Sequence, residues 1–119
     1  MTMYDKIEKL RAWGCDIEDA MKRLLGDEAF YRTCLEIFTG DESFEKLDAS
    51  MDNQYYKEAF EAAHTLKGVS GNLGLTPLYE ALCLLVEALR AGRFSDADKY
   101  YVQVRLARDT FLQIMGERA

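Results

Sequence analysis

The chain has 119 residues, 49% hydrophobic and 30% charged, with a net charge of −6 and a pI near 4.8. That length suits one domain, taken here as residues 1–119, able to bury a core without disulfide or metal staples. The acidity excludes phosphate backbones and anionic membranes as expected partners, so neither nucleic acid nor membrane is anticipated.

The charge is uneven: residues 1–53 hold 7 basic and 13 acidic side chains, and residues 54–119 hold 8 of each. Cys15, Cys34 and Cys83 are far apart and odd in number, and with a single histidine they make a zinc site improbable. Free thiols point to a reducing compartment, so a cytoplasmic location is expected. The opening "MTMYDKIEKLRAWG" is charged and amphipathic, unlike a signal peptide, and the longest apolar run, "ALCLLV", is far too short for a membrane span.

Taken in order, the segments have helical spacing. Ile7 and Leu10 make a short amphipathic turn near the N-terminus. Phe30, Cys34, Ile37 and Phe38 define the next apolar stripe, which is expected to continue with a kink through Phe44 and Leu47. Leu78, Leu82, Leu85 and Leu89, broadened by Ala81, Val86 and Ala88, form another, and Ala97, Tyr101, Val104, Ala107, Phe111 and Met115 form the last. Gly14, Gly26, Gly40, Gly74 and Gly92 fall at breaks in this periodicity. Thr2, Asp16, Asp27, Thr76 (followed by Pro77) and Ser95 stand where helix N-caps are needed. No segment alternates with period two. The expected fold is all-α, an antiparallel four-helix bundle with an additional short N-terminal helix.

The stretch "AHTLKGVSGNLG", residues 63–74, carries the only histidine together with two glycines inside a helix expected from about Gln54 to Leu73. Turning each residue by about 100° gathers Tyr55, Ala59, Ala62, Leu66, Val69 and Leu73 on a core face. His64 falls nearly opposite, in solvent, with Lys57, Phe60, Glu61, Lys67, Gly68 and Gly71 around it. Each glycine costs the helix up to about 1 kcal/mol relative to alanine. In return the surface beyond His64 is expected to be nearly flat, open to close approach by another protein. Lys67, one turn along, would place its ammonium beside an anionic group on the imidazole. Each residue also has an ordinary reading. A lone histidine or lysine on an acidic domain is usually a solvated residue, a single exposed phenylalanine is common, and glycines serve helix packing where they face a core.

The stretch "HTLKGVSGNLG" resembles the motif of histidine-containing phosphotransfer (HPt) domains, H-x-L-K-G followed four residues later by L-G. His64, Leu66, Lys67, Gly68, Leu73 and Gly74 occupy every fixed position. "CLLVEALRAG" is similar to the family's next helix, with Val86 where leucine is usual, and "GCDIEDAMKRLLGDEAFYRTCLEIF" is similar to its early segments. The resemblance implies a phosphorelay intermediate of two-component signalling. His64 would accept a phosphoryl group from the aspartate of a response-regulator receiver domain, and Lys67 would offset charge on that group. Gly68 and Gly71 would clear the docking surface, with Phe60 and Glu61 as partner-docking residues. No cofactor is expected on this chain, the Mg²⁺ of such transfers belonging to the receiver. The resemblance further implies a polar residue on an adjacent helix that orients the imidazole, which the sequence does not assign.

The partners implied are a receiver domain and/or a hybrid sensor histidine kinase, met through a modest, transient interface by an expected monomer. The chain has no glycine-rich nucleotide loop, so it is read as a phosphotransfer protein rather than a kinase. The chain is read as a freestanding relay protein or as the relay module of a larger hybrid sensor kinase, the opening methionine and complete bundle favouring the first. Competing readings are the substrate domain of a chemotaxis-type kinase, a non-phosphorylated helical binding module, and an enzyme with a histidine or cysteine nucleophile. The last is opposed by Cys34 and Cys83 lying on apolar stripes.

Overall fold

The computed structural model describes residues 2–116, so the opening methionine lies outside it. Among the described residues there are seven helices and no strand: α1 (Met3–Trp13), α2 (Ile17–Arg23), α3 (Glu28–Thr39), α4 (Ser43–Asp52), α5 (Tyr56–Asn72), α6 (Thr76–Arg90) and α7 (Phe94–Gly116). Helices α4 to α7 are joined by three-residue connections, 53–55, 73–75 and 91–93. Links this short force each helix to run back along its predecessor, giving the expected antiparallel four-helix bundle. The N-terminal addition is larger than expected, three helices rather than one.

Local chemistry sets most boundaries. Thr2 and Asp5 form a capping box on α1, and the Asp16 and Asp27 carboxylates accept from the backbone of Asp19 and Phe30 at the starts of α2 and α3. Two expected caps differ. Leu75 stands at the N-cap of α6 with Thr76 as its first residue, and Ser95 lies inside α7. The expected kinked helix through Phe44 is two helices, because the chain breaks at Gly40 and restarts at Ser43.

The core draws on every helix, and the stripes foreseen on α6 and α7 are buried in it, with Ala107 only half-buried. In α3 the buried set is Tyr31, Leu35 and Phe38, leaving Phe30 and Ile37 exposed. Both sets have helical spacing, so periodicity alone could not choose between them. The observed face buries Tyr31 and Leu35 completely, and the Tyr31 hydroxyl is satisfied there by donating to the Leu73 carbonyl at 2.7 Å. Burial pushes that phenol well above its ordinary range, so it stays a donor. Between α4 and α7, Asp48 accepts from the Tyr101 hydroxyl at 2.5 Å and from Arg108 at 2.8 and 2.9 Å. Arg108 also lies 5.8 Å from the centre of the Phe44 ring, and Lys6 joins α1 to the end of α7 by donating to the Met115 carbonyl at 2.7 Å.

Candidate functional site

Helix α5 buries Ala59, Ala62, Ala63, Leu66 and Ser70, with Leu73 buried at its C-cap. The small residues let the neighbouring helices close on it, and the Ser70 hydroxyl is satisfied by donating to the Lys67 carbonyl at 3.1 Å. Two expected core residues move. Tyr55 is the N-cap and lies exposed, outside the helical periodicity that placed it inward, and Val69 is half-buried beside a groove.

The far end of α5 is closed by backbone geometry. Gly74 takes a left-handed φ of 68°, its N–H donates to the Gly71 carbonyl at 3.2 Å, and the Leu75 N–H reaches the Ser70 carbonyl at 2.9 Å. This is a Schellman cap, which requires a residue at ease in that conformation. The remaining carbonyls at this end face donors from the N-terminal helices. Arg23 of α2 donates to the Gly71 carbonyl at 2.7 Å and the Asn72 carbonyl at 3.2 Å, and Tyr31 of α3 covers that of Leu73. The Asp16 N–H donates to the Gly74 carbonyl at 2.8 Å. A cation at a helix C-terminus also suits the helix dipole. Helices α2 and α3 and the connection before α2 therefore fasten one end of the helix that bears the histidine.

His64 lies exposed on the outer face of α5, with Glu61 and Gly68 exposed and Phe60, Lys67 and Gly71 half-buried on its flanks. It lines an open groove of ≈ 540 Å³ with Lys67, Gly68 and Gly71, walled by Tyr79 and Glu80 of α6 and by Asp16, Asp19 and Arg23. The surface is a groove rather than the nearly flat face expected. The two glycines differ in kind. A Cβ on Gly68 would meet nothing within 4 Å, so that position is open to solvent. A Cβ on Gly71 would lie 2.9 Å from the Tyr79 ring, so Gly71 makes room for a side chain of the adjacent helix. The helical wheel places Gly71 away from the core and so against a helix-packing role; the structure gives it that role, because α6 sends the Tyr79 ring over that flank. The Cys83 thiol, one turn on, pushes the Tyr79 phenol up.

Lys67 makes no ion pair among the described residues, whereas Arg23 is paired with Asp19. An unpaired ammonium one turn from an exposed imidazole is available to an anion arriving there. The imidazole itself has no hydrogen-bond partner among the described residues. Its ring lies against Phe60, centroids 5.7 Å apart and planes 27° apart, and Arg90 of α6 covers the Phe60 ring at 5.5 Å. Phe60 is expected to serve partner docking or to be an ordinary exposed aromatic. Its engagement with His64 was legible in the i, i+4 spacing, but that of Arg90 was not, because it depends on the register of two helices.

Compared with protein families, residues 37–112 match the model of the Hpt domain. The chain belongs to the Hpt domain family. That membership makes it a module of histidine phosphotransfer in two-component signalling, and the match runs from the end of α3 through the bundle into α7. No curated protein and no solved structure matches the chain. Asp16, Arg23 and Tyr31, which close the end of the Hpt bundle's α5, lie outside the matched span. No helix of the described residues is long and apolar enough to cross a membrane.

A second groove, of ≈ 690 Å³, adjoins the first across Arg23 and Asn72. Leu24, Phe30, Ile37 and Val69 line it, and Phe30 and Ile37 are the residues that the α3 stripe had assigned to the core.

Proposed function

We propose that this Hpt domain is a phosphorelay intermediate that exchanges a phosphoryl group between His64 and the aspartate of a receiver domain, standing free or in a hybrid kinase. The observation that carries the reading is the solvent-facing His64 with an unpaired Lys67 one turn away and open space over Gly68. A neutral imidazole nitrogen attacks the phosphorus of the aspartyl phosphate, a P–N bond forms, the acyl P–O bond breaks and the carboxylate leaves. The proton on the other ring nitrogen exchanges with solvent. Both the acyl phosphate and the phosphoramidate are activated, so transfer runs in either direction. Lys67 offsets charge on the group in flight, and the receiver supplies Mg²⁺.

The partner's footprint runs from His64 across Gly68 and past Arg23 and Asn72 to the apolar groove of Phe30 and Ile37, which gives docking a hydrophobic anchor at the far end of α5 from the reacting atom. A single copy of the chain suffices for this. The test is transfer from a panel of phosphorylated receiver domains with Mg²⁺, comparing wild type with His64→Gln. An acid-labile, base-stable label on the wild type alone is expected. No label from active donors on the folded protein overturns the relay in favour of a binding module or a kinase-dedicated substrate domain.

A further inference from the structure

We infer that Phe60, held by Arg90, is the positioning residue for His64, fixing its imidazole by ring contact where a hydrogen bond would otherwise do so; this rests on the phosphotransfer reading above. The argument begins with freedom. The terminal torsion of a histidine is broad, so an exposed imidazole without a hydrogen bond has no preferred plane. His64 has no hydrogen-bond partner among the described residues. Side chains on a helix lean toward its N-terminus, onto the residue four positions earlier, and here that residue is Phe60. The 27° between the ring planes is near-parallel contact, which restrains the turn of the imidazole about its own axis.

The register of α5 against α6 explains why no hydrogen bond serves instead. Phe60 meets Arg90, and Gly71 meets Tyr79, so the antiparallel register sets residue 64 level with residue 86. That position is Val86, fully buried and without a polar atom to offer. The adjacent carboxylate, Glu87, is paired with Arg90. Arg90 in turn covers Phe60 from α6, so Glu87, Arg90, Phe60 and His64 form one chain of contacts across two helices. An imidazole restrained in this way presents its nitrogen along one line of attack, and near-attack geometry is where a small misplacement slows transfer most.

The test compares wild type with Phe60→Leu, Phe60→Tyr and Arg90→Gln in two measurements. The chain's only histidine gives one resolvable pair of imidazole carbon–proton signals by NMR. In wild type these are expected to carry the ring-current shift of Phe60, and Phe60→Leu removes it and frees ring motion. In transfer from a phosphorylated receiver, Phe60→Leu is expected to lower kcat roughly tenfold with KM changed by less than about twofold. Phe60→Tyr, which keeps a stacking ring, recovers most of the rate, and Arg90→Gln falls between. A raised KM at unchanged kcat makes Phe60 a docking contact and overturns the inference. So do wild-type imidazole signals that do not respond to Phe60→Leu, because the contact is then absent in solution. If no receiver phosphorylates the wild type, the relay reading fails, while the NMR comparison still decides whether the stack exists.

Discussion

Replacing Gly74 with alanine tests whether the closing glycine of the motif is there for the fold. Two costs meet at this position. Alanine at a φ of 68° pays about 1–2 kcal/mol for the left-handed conformation. Its Cβ would also lie 2.3 Å from the Asp16 carbonyl oxygen and 3.1 Å from the Ala20 Cβ. The obstacle is backbone, which cannot swing aside like the end of a side chain, so the α1–α2 connection must retreat. Retreat loses the 2.8 Å bond from the Asp16 N–H to the Gly74 carbonyl, a net of about 1 kcal/mol, and loosens the packing around Ala20. The expected total is about 3–4 kcal/mol.

Gly92 is a matched control. It closes α6 with the same cap, at a φ of 73°, with the Arg93 N–H bonding the Ala88 carbonyl at 2.9 Å, yet a Cβ there meets nothing within 4 Å. Gly92→Ala should cost only the conformational part, about 1–2 kcal/mol. Urea unfolding followed by circular dichroism measures both, and each kcal/mol should also appear as roughly 4 °C in Tm for a chain of this size. A Gly74→Ala variant no less stable than Gly92→Ala refutes the close-approach argument.

Gly68→Gln should keep or raise helicity, since the position is open, yet slow transfer from a receiver by about tenfold; a normal rate removes the docking role. Lys67→Ala should melt like wild type and reduce transfer by roughly tenfold, and unchanged kinetics make Lys67 a solvated bystander. Asp48→Ala leaves the Arg108 guanidinium and the Tyr101 hydroxyl without their acceptor, an expected loss of about 2 kcal/mol in urea. The double variant with Arg108→Met should recover part of it; a loss under about 0.5 kcal/mol for Asp48→Ala shows that water replaces the carboxylate. Burial pushes the Cys15 thiol up to about 12 from its ordinary 9.0. The unfolded chain therefore sheds this proton first, and the thiol's contribution is whole below pH 9.0 and is lost as pH rises from there toward about 12. Roughly 1.4 kcal/mol should go by about pH 10, and Cys15→Ala should flatten that part of the profile; equal slopes in the two proteins contradict it.

Much of this Hpt domain follows from short-range chemistry that a sequence displays. The caps at Thr2, Asp16 and Asp27 and the breaks at Gly74 and Gly92 are decided within four or five residues, so they were legible, whereas at Gly40 only a kink was expected. The stripes of α6 and α7 were legible because their apolar residues recur at helical spacing over several turns, although Leu84, Val102 and Leu106 are exposed outside them. The outward aspect of His64 followed from the run of small and apolar residues on the opposite side of α5.

What needed tertiary structure is where one element meets another. Helix α3 carries two overlapping apolar sets, and which of them is buried shows only in its packing on the bundle, where Leu35 is enclosed and the Tyr31 hydroxyl reaches the end of α5. Gly68 and Gly71 look alike in the motif, but the ring of Tyr79, eight residues beyond Gly71, separates an open position from a packed one. The same register sets Val86 level with His64 and Arg90 over Phe60, so the histidine's own surroundings were the least legible part of the site. Periodicity records which way a residue points along its own helix; what lies opposite depends on how far the neighbouring helix slides before its side chains interlock.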